Sequence, residues 1–190
     1  MTTLRNATLS LGLLLLVGSA QATPYQSIQL DKSSLQFVYR QMGVPMEGRF
    51  KKFSAQVNFD PLKPQQAKVS LDIDMTQIDA GSHEADQEVE SKGWFNAGAF
   101  PKATFKSTRV VFEGDKPTAI EGQLTIKGVT TPVTLTVTSF QAMPHPMLKK
   151  PALGANAFTQ IKRSEFNAGK YVPYVADEVR IDIAIEAIGQ

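Results

Sequence analysis

The chain has 190 residues, 20 of them basic and 18 acidic, and no cysteine. That near balance gives no general electrostatic basis for binding nucleic acid or an anionic surface. The absence of cysteine excludes disulfides, acylation at an N-terminal cysteine, C-x-x-C-H haem attachment and thiolate-bound iron.

The first 22 residues differ from the rest. Arg5 is their one charge, residues 9–17 are apolar apart from Ser10 and Gly12, and Ala20-Gln21-Ala22 has the small residues a signal peptidase reads. A short basic start, a short apolar run and an A-x-A site predict a cleaved secretory signal over residues 1–22. A spanning helix needs about 20 apolar residues, more than this run supplies. The mature chain is therefore expected to begin at Thr23, outside the cytoplasm and without stable membrane insertion. Residues 23–190 are then one domain, long enough to build a core without disulfides.

The mature chain is dominated by alternation of apolar and polar residues, which places one apolar and one wet face on a strand. In chain order it runs through Leu35, Phe37 and Tyr39, then Phe53, Ala55, Val57 and Phe59. Val69, Leu71, Ile73 and Met75 follow, then Ala103, Phe105 and Ser107. It returns at Ile120, Gly122, Leu124 and Ile126, at Val133, Leu135 and Val137, over residues 154–163, and at Val179, Ile181, Ile183 and Ile185. Asp60-Pro61, Glu113-Gly114-Asp115 and Lys127-Gly128 mark turns between them. The count is eight strands. Short turns and one wet face indicate antiparallel pairing in a sandwich or barrel. No repeated βαβ unit or Gly-rich phosphate loop is present.

Two segments interrupt the pattern. Residues 79–92 are polar and helix-tolerant, with Asp79 or Ser82 as a cap, acidic residues in the first turn and Lys92-Gly93 at the end. They predict one short inserted helix, followed by the aromatic set Trp94, Phe95 and Phe100. Residues 143–151 hold three prolines and cannot form a regular central strand.

Chemistry-bearing constellations are weak. His83, Glu84, Asp86, Glu88 and Glu90 resemble a metal cluster, but zinc needs three or four ligands and the second histidine, His145, sits between prolines. A solvated helix face explains them, and no metal or other cofactor is expected. No G-x-S-x-G is present, and Asp72 and Asp74 read as solubilising charges on a wet strand face. No enzymatic activity is expected. An eight-stranded interior can be filled by side chains or hold one small ligand, and alternation does not distinguish the two.

Four stretches resemble the YceI-like family. They are Ser34-Leu35-Gln36-Phe37 with Glu47-Gly48-Arg49-Phe50; Trp94 through Phe105, reading WFNAGAFPKATF; Gly122 through Val133, reading GQLTIKGVTTPV; and Arg163-Ser164-Glu165-Phe166 with residues 177–185. The resemblance covers about residues 25–188. It implies a periplasmic, lipocalin-like barrel that binds a long-chain isoprenoid lipid of polyprenyl or quinone type. Such a chain gains about 0.8 kcal/mol per buried CH₂. The expected lining is Leu35, Phe37, Tyr39, Phe53, Val57 and Phe59 from the first strands, and Leu71, Ile73 and Phe105 from the middle. Leu124, Ile126, Leu135, Val137, Ile181 and Ile183 complete it from the last strands. The helix with Trp94, Phe95 and Phe100 is expected to cover one mouth. Departures from the family are an acidic helix and the proline-rich residues 143–151. The reading admits a homodimer. The alternative is a filled barrel that serves as a stress-response or interaction module, with Met143, Met147 and Leu148 beside Lys149 and Lys150 facing a protein partner.

Overall fold

A computed structural model describes residues 23–25, 27–60 and 62–189. The expected leader, residues 1–22, lies outside the described residues. The strands are β1 (Thr23–Tyr25), β2 (Ser27–Ile28), β3 (Ser34–Gln41), β4 (Val44–Phe50), β5 (Phe53–Phe59), β6 (Lys68–Asp74) and β7 (Ile78–Asp79). The helix α1 (His83–Glu90) follows, then β8 (Lys102–Glu113), β9 (Lys116–Ile126), β10 (Val129–Pro144), β11 (Pro151–Lys162) and β12 (Glu178–Ile188).

All pairings are antiparallel, in the order β1-β5-β6-β8-β9-β10-β11-β12-β3-β4-β7. The path curls back on itself in two places. β1 pairs with β5 while β2, its neighbour in the chain, pairs with β12. At the other end β4 pairs with β7, which lies just beyond β6. The rolled sheet turns its apolar face inward and leaves α1 as the one α-helix among the described residues.

The eight expected strands correspond to β3, β5, β6, β8, β9, β10, β11 and β12, but the count of eight is too low. β4 is a full strand of seven residues, and β1, β2 and β7 are short additions. β4 alternates, with Met46, Gly48 and Phe50 on the inner face, but Pro45 and the side-chain-free Gly48 blur the pattern in the sequence. Gly48 stands directly opposite Phe37, and a Cβ there would overlap the Phe37 ring and approach the Asp79 carbonyl. A residue that looks like a strand breaker is thus the floor on which an aromatic ring lies. Gly122 plays the same part beneath Phe105.

Ser82 caps α1, its hydroxyl accepting from the Ala85 N–H at 3.2 Å. Asp79, the other candidate cap, instead accepts from Arg49 at 3.0 Å. The helix is shorter than the polar run that predicted it. The prolines of the 143–151 stretch sit at the neck of the β10–β11 hairpin, where Pro144 pairs with Pro151.

The glycine floor gives a stability test. Gly48→Ala forces a methyl into the Phe37 ring and should cost about 1–3 kcal/mol in urea unfolding. Gly154→Ala enters open space and should stay within about 0.5 kcal/mol of the parent. Equal stability of the two variants would show that the ring does not depend on Gly48.

Candidate functional site: two apolar chambers in the barrel

The inward side chains leave two chambers along the barrel, divided by a layer of packed residues. Strand by strand, the division falls at one level. On β12, Ile183 and Ile185 line the first chamber, and Val179 and Ile181 the second. On β6, Val69 and Leu71 line the first and Ile73 the second. On β8, Val110 and Phe112 face the first chamber and Ala103 the second, with Phe105 between them at 2% exposure. Leu35 on β3, paired with Ile183, and Thr159 on β11, paired with Ile181, are buried as well and line neither chamber.

The first chamber is walled by aliphatic residues, including Val57, Leu135 and Val137, and by an aromatic triad. Phe59 stacks on Phe112 at 6.3 Å between centroids and meets Phe140 edge-on at 5.3 Å. The second chamber has its own aromatic side, with Phe37 centred 5.2 Å from Phe50 and 6.2 Å from Tyr39. Leu124 and Ile126 from β9 complete its wall, and Val89, Trp94 and Phe95 close it from the α1 side. The lining surface of both chambers is wholly apolar. The space open to the centre of a water-sized sphere is about 70 Å³ in the first and about 60 Å³ in the second. At roughly 10–15 Å³ per water, each is a slot a few groups long. Such a slot has no polar partner for water and suits a thin hydrocarbon chain.

Of the expected lining residues, Val57, Phe59, Leu71, Leu135, Val137 and Ile183 face the first chamber. Phe37, Tyr39, Ile73, Trp94, Phe95, Leu124, Ile126 and Ile181 face the second. Leu35, Phe53 and Phe105 are core residues. Phe100 stands apart from both chambers, 36% exposed, with its ring over Gly128.

Arg163 was not among the expected lining residues. It is 4% exposed and borders the second chamber. Its guanidinium lies 4.4 Å from the centroid of Trp94. It donates to the carbonyls of Ala168 at 2.6 Å, Ala176 at 3.0 Å and Val175 at 3.0 Å. Burial pushes its pKa down, opposed by the charge of Asp177. A buried cation is tolerated here because its donors are satisfied and its face rests on an aromatic ring.

Trp94 is held from several sides. Its indole N–H donates to Glu88 at 2.8 Å, and Lys170 donates to the same Glu88 oxygen at 2.6 Å. Tyr171 meets the indole edge-on at 6.4 Å. Trp94 therefore both walls the chamber and ties α1 to the 168–177 loop. Among the described residues, no group of three or more His, Cys, Asp or Glu side chains could hold a metal ion.

A rolled antiparallel sheet around two apolar chambers defines a lipocalin-like barrel. The sequence profile of the YceI-like domain matches residues 26–187, and the chain belongs to that family. It is 34% identical over 183 residues to Protein YceI of Salmonella arizonae, covering 94% of this chain and 93% of that one. The crystal structure of Burkholderia cenocepacia BcnA is 38% identical, with a TM-score of 0.71 over 85% of this chain and 99% of that one. A Saccharophagus degradans polyisoprenoid binding domain, implicated in plant cell wall breakdown, shares the fold at a TM-score of 0.64 and 13% identity, over 89% and 99% of the two chains.

The Glu88 contacts give a pH prediction. The hydrogen bond from Lys170 holds the Glu88 carboxyl below its ordinary range. A depressed folded pKa means that the contribution is present above the ordinary value and is lost as pH falls through the folded one. Trp94 is the only tryptophan, so its emission reports the loss. It should shift on acidification below the usual glutamate range, and Glu88→Gln should show the shifted emission already at neutral pH. An acid shift equal in parent and variant would assign the change to another group.

Proposed function

We propose that this protein is a non-enzymatic periplasmic carrier that holds a long isoprenoid chain, of polyprenyl or quinone type, along the barrel axis. The observation that carries this reading is the pair of slots in line whose open surface is apolar, with Arg163 at the border of the second turned onto Trp94 and backbone carbonyls. A chain threading both exchanges hydrated hydrocarbon for dispersion contacts, at about 25 cal/mol per Å² removed from water. Phe105, between the slots, must turn aside to admit it. Family membership supports the reading, as does the polyisoprenoid binding described for the Saccharophagus neighbour.

Export belongs to the same proposal, supported by the apolar run of residues 9–17 and the Ala20-Gln21-Ala22 site that would leave Thr23 first. N-terminal sequencing of protein from the periplasmic fraction should read Thr-Pro-Tyr. Retention of Met1 on membrane-bound protein would overturn the export proposal.

The second reading is a filled barrel that acts through its loops, and the narrowness of the slots favours it. Mass spectrometry of an organic extract separates the two. The carrier reading predicts prenyl lipid near one per protein. Ile73→Trp, which fills the second slot, should lower that content or select a shorter chain, and Leu135→Trp should do the same from the first slot. A clean extract from the parent protein supports the filled barrel. Unchanged lipid in both folded variants would show that the chain lies elsewhere.

A further inference from the structure

The β10–β11 hairpin reaches beyond the barrel wall. β10 pairs with β9 only as far as Thr136, while its pairing with β11 continues to Pro144. The turn at residues 145–150 carries Met147, 81% exposed, and Leu148, with Met143 exposed on the strand below. Lys149 and Lys150 stand beside them, also exposed. The turn is ordered. The His145 Nδ1 accepts from the Met147 and Leu148 N–H groups at 3.3 and 3.2 Å, and the His145 N–H donates to the Lys150 carbonyl at 2.7 Å. Two large apolar side chains are thus held out into water by a built turn.

Three observations together say what covers them. First, no aspartate or glutamate occurs from Gly122 to Ser164, so both hairpin strands and the turn lack a carboxylate while the tip carries two lysines. The chain as a whole is nearly balanced in charge, and the tip is not. Second, the tip is small. A stable protein interface buries about 800 Å² on each side from some 20–30 residues, far beyond a six-residue turn. The prolines at its neck also offer no N–H for pairing with an added strand. Third, the same hairpin supplies Leu135, Phe140 and Leu153 to the wall of the first chamber.

We propose that the tip at Met147 and Leu148, flanked by Lys149 and Lys150, docks the protein on an anionic lipid bilayer. The two apolar side chains enter the headgroup boundary, and the lysines lay their stems along it while their ammonium groups meet lipid phosphates. Such an attachment is weak and reversible, since it rests on a few side chains. Its use in delivering a chain to the first chamber rests on the isoprenoid reading; the docking itself does not.

The test is co-sedimentation of the full mature protein with vesicles of equimolar phosphatidylethanolamine and phosphatidylglycerol. The parent should sediment with these vesicles, and less in high salt. The double variant Met147→Asp, Leu148→Asp should bind about a hundredfold more weakly, the loss expected from two large apolar side chains. Lys149→Gln with Lys150→Gln should weaken binding by about fivefold per lysine. All of these positions are exposed, so circular dichroism and the thermal midpoint should match the parent. Absence of parent binding overturns the proposal, as does binding unchanged by the double variant. So does sedimentation velocity showing a tip-dependent dimer, which would make the tip an interface between copies. Prenyl lipid measured in the same preparations separates the two readings. Lipid without vesicle binding sinks the docking tip alone, and vesicle binding by a lipid-free barrel sinks the carrier alone.

Discussion

An aromatic ring laid over a glycine in the next strand is the contact on which this interior depends. Phe105 leans across the sheet onto Gly122, and Phe37 lies on Gly48, at positions where even a methyl group would collide. The two rings set the width of the barrel at two levels. Phe37 is part of the second chamber's wall. Phe105, 2% exposed, lines neither chamber and is paired with Leu71 of the first and Leu124 of the second. A side chain on either glycine would drive its ring inward or push the strands apart, because close-packed interiors absorb little added volume.

The two ends of the barrel are built differently. At the α1 end the second chamber is sealed by contacts that cross several elements. Glu88 binds Trp94 and Lys170, Trp94 carries Arg163, and Arg163 gathers the carbonyls of the 168–177 loop. Removing Arg163 would leave the buried Ala168 and Val175 carbonyls without their donor, so this end resists opening. At the other end the first chamber is bounded by Phe59, Phe112 and Phe140, with the Phe59 ring in contact with each of the other two. Phe112 and Phe140 are only partly buried, and rings without hydrogen bonds can turn at low cost. Under the isoprenoid proposal a chain would enter past these rings, beside the hairpin whose tip carries the exposed methionine and leucine.

Much of the barrel is legible in the sequence because long strands with one wet face must alternate. β6, β9 and β12 are read in phase, and their inward residues are the ones that line the chambers. The phase is lost where the backbone departs from strict pleating. A bulge between Ser107 and Arg109 moves the inward positions of β8 from odd to even numbers, which brings Val110 and Phe112 into the first chamber. A second bulge, between Val137 and Ser139, does the same for Phe140. Strict alternation passes over all three. The alternation of β4 is blurred by Pro45 and Gly48, and residues 47–50 are legible through the family resemblance alone; the missing side chain at Gly48 is explained by the Phe37 ring across the sheet. Arg163 left no local sign, because a buried cation differs from a surface one only in the carbonyls that surround it, and those come from residues 168–176.

The central claim is that one apolar chain occupies both slots and passes Phe105. The most direct measurement is isotope-edited NMR of the mature protein loaded with an isotope-labelled isoprenoid alcohol, read at the methyl groups of Ile73 and Leu135. These residues lie in different chambers. The account predicts intermolecular contacts from the chain to both methyl sets, with a change in the Phe105 ring resonances. Contacts confined to one chamber, or to exposed side chains with the inward methyls unmoved, would contradict it.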